Sequence, residues 1–180
     1  MSRWPPDWYV LRRFVVDDTT IADDDPQAII DPVWYSADAA SLEAWEKSLR
    51  FFSRPQRLAY AMLWTSADVC NGGLDQFFWD GGMILLPEAV EGFDAIGRSD
   101  IADILREAAA CFPATPNREI GPLSMKEMPQ ALDELTRRYY REEGDFFGPL
   151  LAYIRSQPAA FYFDGEIHAP PPLPPEERVH

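Results

Sequence analysis

Apolar residues recur at helical spacing through most of the chain, and the first such stripe opens at Ser41, with Leu42, Trp45, Leu49 and Phe52 on one face. Ser53-Arg54-Pro55-Gln56 then has the Ser-x-x-Gln form of a capping box and starts a second helix through Leu58, Met62, Thr65 and Val69. Tyr60, Leu63 and Trp64 widen its apolar face until little polar surface remains, which predicts a central helix buried nearly all round. Asn71-Gly72-Gly73 ends it. A short helical turn from Leu74 to Trp79, the breaker Asp80-Gly81-Gly82, a helix from Pro87 to Ile96 stopped by Gly97, and another from an N-cap at Ser99 to Phe112 follow.

Beyond a loop rich in proline and glycine, Ser124-Met125-Lys126-Glu127 is a second capping box, and Met128, Leu132, Leu135 and Tyr139 continue at helical spacing to Gly144. Gly148-Pro149 opens a last helix with Leu150, Leu151 and Ile154 that ends at Pro158. The flanks differ. Trp8 to Val16 reads as a strand, and Phe161 to Gly165 as a strand and turn that could pair with it. Asp17-Asp18 and Asp23-Asp24-Asp25-Pro26 place like charge and proline where regular structure is discouraged, and the chain closes on a proline-rich tail. The expectation is a mainly α protein: a single helical domain of about six to seven helices over residues 41–160, with a small peripheral strand element. Residues 1–40 are read as an acidic arm and 161–180 as a short strand and tail.

Composition sharpens this picture. Thirty acids against sixteen Lys and Arg leave a formal charge of −14, which disfavours nucleic acid and anionic membrane as direct partners and makes a basic protein the electrostatic complement. Residues 41–80 hold five acids and four bases and are the least charged quarter, in keeping with a buried centre. The start, Met1 to Pro6, has no apolar stretch of signal-peptide length, and no run approaches a membrane span, so a cytoplasmic protein is expected.

Candidate chemistry is sparse. His168 and His180 both lie at the C-terminal edge, which leaves no central histidine base for a serine or cysteine nucleophile. Cys70 and Cys111 are two isolated thiols, read as buried, and neither Gly72-Gly73 nor Gly81-Gly82 matches a phosphate loop. Asp23-Asp24-Asp25 lacks the spacing of a calcium loop, and Glu142-Glu143-Gly144-Asp145 sits at a fraying helix end. No catalytic residue, metal or cofactor is expected.

The segment with most character is Asn71-Gly72-Gly73-Leu74-Asp75-Gln76-Phe77-Phe78, a tight helix-to-helix corner in which Asn71 or Gly72 takes a left-handed conformation, Phe77 and Phe78 enter the core, and Gln76 bonds the freed carbonyls. This Asn-Gly-Gly-x-x-Gln-Phe-Phe stretch resembles the signature of a bacterial DNA mimic protein family, an all-helical domain of unknown function. The run Glu88 to Gly97 with the Ile101 to Ala110 helix after it, and Leu132 to Leu135 through Tyr139-Tyr140 to Tyr153-Ile154, are similar to its later elements; the resemblance covers about residues 41–160. It implies carboxylates arrayed like phosphates that occupy the DNA-binding surface of a transcription regulator or a histone-like protein.

Such mimicry is demanding. A chain of this length spans on the order of 40 Å, over which duplex DNA carries about 24 phosphate charges, so acids spread evenly would not match it. It requires that Asp94, Asp100, Asp103, Glu107, Asp133, Glu134, Glu142 and Glu143 concentrate on one face while the arginines gather elsewhere. Asp100, Asp103 and Glu107 do fall on one helical stripe. A solvated face opposite Ile101, Ile104 and Ala108 accounts for the same spacing. The expected function is thus an acidic protein-binding module, monomer or homodimer, with a basic DNA-binding protein as partner. The alternatives are an enzyme or small-molecule binder using the Asn71 to Gln76 corner, and an immunity-type partner of a basic protein.

Overall fold

A computed structural model describes residues 5–116, 118 and 126–172. It is mainly helical. In chain order come strand β1 (Val10–Val16), helices α1 (Asp18–Ala22), α2 (Pro26–Trp34), α3 (Leu42–Ser48), α4 (Arg54–Trp79), α5 (Gly82–Ala95), α6 (Ser99–Ala109), α7 (Ala131–Glu142) and α8 (Phe147–Ser156), a 3-10 turn (Pro158–Ala160) and strand β2 (Phe163–Ala169). The capping box read at Ser124 and the end of the proline-rich tail lie outside the described residues.

Helix α4 is the axis of the fold, packed by α5, α7 and α2, with α6 bridging α5 and α7. Its first limb is capped as the sequence dictates: Ser53 accepts from Gln56 N–H while the Gln56 side chain accepts from Ser53 N–H. The same two side chains reach the C-terminal segment. Ser53 Oγ donates to Ala160 O at 2.6 Å, and Gln56 Nε2 donates to Phe161 O at 3.2 Å. Met62, Val69, Leu74, Phe77, Leu85, Phe93, Leu105, Leu132 and Ile154 belong to one continuous core. Burial of these side chains, each about 1.5–3 kcal/mol, is the main stabilising term.

Residues 17–34 differ from the expected irregular arm. Asp17 accepts from Thr19 and Thr20 N–H to cap α1, and Asp25 accepts from Gln27 and Ala28 N–H to cap α2, with Pro26 in its first turn. The acids that read as like-charge repulsion act as helix caps. Ile21, Ile29, Ile30 and Val33 accordingly join the core, and α1 and α2 add two helices to the six described within residues 41–160. Two other boundaries move. Gly81, at φ 93°, starts α5 before Pro87, which sits inside the helix and forgoes one backbone bond; α7 begins at Ala131.

The strands pair as the flanking patterns suggest, β1 antiparallel to β2 with Phe14 opposite Gly165 and Val16 opposite Phe163. Gly165 is therefore mid-strand, not a turn. An added Cβ there would meet the tip of the Phe163 ring at 2.9 Å, so glycine is what lets that ring lie over the strand as it does. Phe163 in turn stacks on Phe52, tying the sheet to the loop before α4.

One charge lies inside. Glu88 of α5 is 2% exposed and meets Arg54 at 2.8 Å, Arg57 at 3.1 Å and Arg118 at 3.7 Å. Three cations around a buried carboxylate offset its desolvation and lock the start of α4 to α5. Cys70 and Cys111 are free thiols, and Cys70 is exposed as a residue where burial was expected, though its thiol is partly covered where it reaches Glu143.

Candidate functional site

The corner of α4 is built from its glycines. Gly72 has φ −153° and ψ 19°, and Gly73 has φ 77° and ψ −174°, a combination open to glycine and almost nothing else. The left-handed residue is thus Gly73, not Asn71 or Gly72 as expected. In a straight helix the Val69 carbonyl would take the Gly73 N–H, so the break frees backbone groups that need partners. Helix α7 supplies them: Tyr140 Oη donates to Val69 O at 2.7 Å, and Thr136 Oγ1 accepts from Leu74 N–H at 3.0 Å. Gln76 was expected in this role but bonds Asp80 instead. Phe77 and Phe78 are buried, as their position after the corner predicts, while Asn71 stays exposed.

Folding at Gly73 also brings distant carboxylates together. Along an unbroken helix Asp68 and Asp80 would stand about 18 Å apart at 1.5 Å per residue. Here Trp64 and Asp80 line the same recess, and the charge of Asp80 acts on Asp68. Burial pushes the Asp68 carboxyl up to about 6, a rise that the Trp64 N–H bond opposes and Asp80 increases. Asp75 is raised too, first by burial and then by Asp133 of α7, and its Oδ1 is buried without a hydrogen bond. Glu143 meets another face of α4 near the corner: its carboxylate accepts from the Cys70 thiol and from Ser66 Oγ. Burial, then Glu143, pushes the Cys70 thiol up to about 11. Among the described residues no Lys or Arg forms an ion pair with Asp38, Asp68, Asp75, Asp80, Asp133 or Glu143.

The outer face of α6 and α7 is different. Asp100 pairs with Arg98 at 3.0 Å, Asp103 with Arg106 at 2.7 Å, Asp94 also with Arg106, Glu107 with Arg138, and Glu134 with Arg137 at 3.0 Å and Arg141 at 3.5 Å. These partners hold Asp100, Glu107 and Glu134 below the usual carboxylate range; Asp94 is lowered first by a bond from Ser99 and then by Arg106. The separation of acids from arginines that mimicry was expected to require is therefore not met on this face. The reason is that Arg98, Arg106, Arg137, Arg138 and Arg141 sit on or beside the same helices at pairing distance.

The eight acids read from the sequence thus divide. Asp94, Asp100, Asp103, Glu107 and Glu134 are clamped by arginine, Glu142 lies within reach of the Arg98 and Arg138 charges, and Asp133 and Glu143 border the corner. Asp38, Asp68 and Asp80 were not among them. Trp64 and Asp68 at i and i+4 on an otherwise apolar helix were the available signal.

Fold and site define a class: a mainly α-helical acidic protein whose uncompensated carboxylates surround a glycine corner. A family model described as DMP19-like protein matches residues 50–157, and the chain belongs to that family. No curated protein and no solved structure gave a match. Among the described residues, no group of His, Cys, Asp and Glu is arranged to hold a metal ion, and no helix is long and apolar enough to cross a membrane.

Proposed function

We propose that this protein is a binding module that occupies the DNA-binding surface of a basic protein, a DNA mimic whose contact surface is centred on the α4 corner. The observation that carries the reading is the group of carboxylates around Gly73 with no ion-paired cation, in a chain of the DMP19-like family with net charge −14. Unpaired carboxylates attract a cationic surface at long range, whereas clamped ones present near-neutral pairs. Asp133 and Glu143 belong to this surface; Asp94, Asp100, Asp103, Glu107, Glu134 and Glu142 contribute less. On this reading the protein acts by binding rather than by catalysis.

The test is competition. A DNA-binding protein captured from the native host at low salt is loaded with labelled duplex, and this protein is added. Displacement that weakens steeply as salt rises supports the reading. The Asp133→Lys, Glu143→Lys variant should compete at least tenfold less well at about 0.15 M salt, and the Asp100→Lys, Glu107→Lys variant within threefold of the parent. Duplex that stays bound at saturating protein, or a corner variant that competes like the parent, overturns it.

A further inference from the structure

Beside the corner lies a recess of about 440 Å³, within the range of ligand-binding clefts, that the binding reading leaves unused. Its walls are Trp34 from α2, Trp64 from α4 and Tyr9, with Asp38 and Asp80 at its border. The ring centroids of Trp34 and Trp64 are 6.0 Å apart at an interplanar angle of 37°, and each ring also packs on the fully buried Tyr60 at 5.6 Å. Both indoles are half-buried and held from behind. Asp68 accepts from the Trp64 indole N–H, which fixes that ring, and Asp38 accepts from Ala40 N–H at 3.0 Å, which fixes the loop.

We infer that this recess receives an arginine side chain of a partner protein, its guanidinium over Trp34 and Trp64 and its N–H groups directed to Asp38 and Asp80. Attraction between a cation and an aromatic face acts within about 6 Å of the ring centroid and is strongest for tryptophan, so both rings can reach one cation. A guanidinium suits the site better than an ammonium because it is planar, weakly hydrated and forks onto carboxylates. The charge pattern agrees: among the described residues no Lys or Arg ion-pairs with Asp38 or Asp80, and the cations nearest to hand, Lys47 and Arg50 beside Asp38 and Arg118 beside Asp80, line neighbouring recesses rather than this one. The arginine's owner rests on the protein-binding reading; the recess itself does not.

The experiment is therefore a titration with small probes, followed through the indole N–H resonances of Trp34 and Trp64. Gly-Arg-Gly should shift both saturably, with a dissociation constant on the order of millimolar, Gly-Lys-Gly severalfold more weakly, and the neutral isostere Gly-citrulline-Gly at least tenfold more weakly. Asp38→Asn with Asp80→Asn, which leaves the aromatic walls in place, should remove at least tenfold of the arginine affinity. Trp64→Leu should abolish it, with the far-ultraviolet circular dichroism checked for folding. Equal shifts by the arginine and citrulline probes, no shift by either, or lysine equal to arginine would overturn the inference. If the recess fails while duplex competition persists, DNA mimicry stands without it. If the arginine probe binds and no partner is displaced from DNA, the recess stands and mimicry falls.

Discussion

The face of α6 and α7 and the corner of α4 both carry many acids, yet their carboxylates are held in opposite ways. On the first, Asp100, Glu107 and Glu134 are lowered by arginines within hydrogen-bond reach. At the second, Asp68 and Asp75 are raised by burial and by neighbouring carboxylates. An acid that gains a cation in the fold is stabilised as an anion and loses its field at a distance; an acid that gains only another acid is strained and keeps its field. Counting acids along a chain does not separate these cases, and on the proposed function the difference would decide which surface draws a basic partner.

The most disruptive way to break the comparison is to remove the corner. Gly73→Ala puts a Cβ 3.0 Å from Thr136 Cγ2 in a conformation that only glycine accepts, and should destabilise the fold by about 3 kcal/mol in urea unfolding. Gly97→Ala is the control, since Gly97 has φ 78° but nothing within 4 Å of the added atom, and should cost about 1 kcal/mol. Equal losses would mean that contact with α7 contributes nothing to the corner.

A smaller effect separates the two surfaces functionally. At about 0.15 M salt, Asp133→Lys with Glu143→Lys should weaken partner binding by about 1.4 kcal/mol or more, and the slope of affinity against salt should flatten. The same measurement on Asp100→Lys with Glu107→Lys should change little, because on the proposed function this face lies outside the contact surface and its added charge is screened over about a Debye length at this salt. The reverse order would return the contact surface to α6.

Asp68 tests the strained side by stability. Its folded pKa of about 6 lies above the unfolded value near 4, so the native state binds the proton more tightly. The destabilisation it causes is absent below about pH 4, grows between there and pH 6, and is constant above. Asp68→Asn, which keeps an acceptor for the Trp64 N–H, should therefore stabilise the protein by about 1 kcal/mol at pH 7, allowing for solvent screening at a half-buried site. Thermal melts at pH 7 and pH 3.5 check it, and a gain that persists at the lower pH sinks the assignment. The smallest change belongs to the clamped side: Glu107→Gln should leave the melting temperature unmoved, since fully exposed ion pairs contribute little.

Local rules set what could be read in advance. The apolar stripes of α3, α4, α6 and α8, the Ser41 and Ser53 caps, the break at Asn71-Gly72-Gly73 and the burial of Phe77 and Phe78 all follow from contacts a few residues long. The same short range misled at Asp17 and Asp25, whose side chains reach two or three residues ahead to cap helices but read as repelling charge. Net charge was equally plain, and its sign alone pointed to a basic partner.

Packing decided the rest. Glu107 on α6 meets Arg138 on α7, Thr136 and Tyr140 on α7 complete a break in α4, and Trp34 joins Trp64 from another helix. None of these pairs lies within one turn, so no periodicity announces them. A carboxylate's charge is visible in the sequence, but its partner is chosen by whichever helix the hydrophobic core brings alongside, and it is the partner that sets how far the charge is felt.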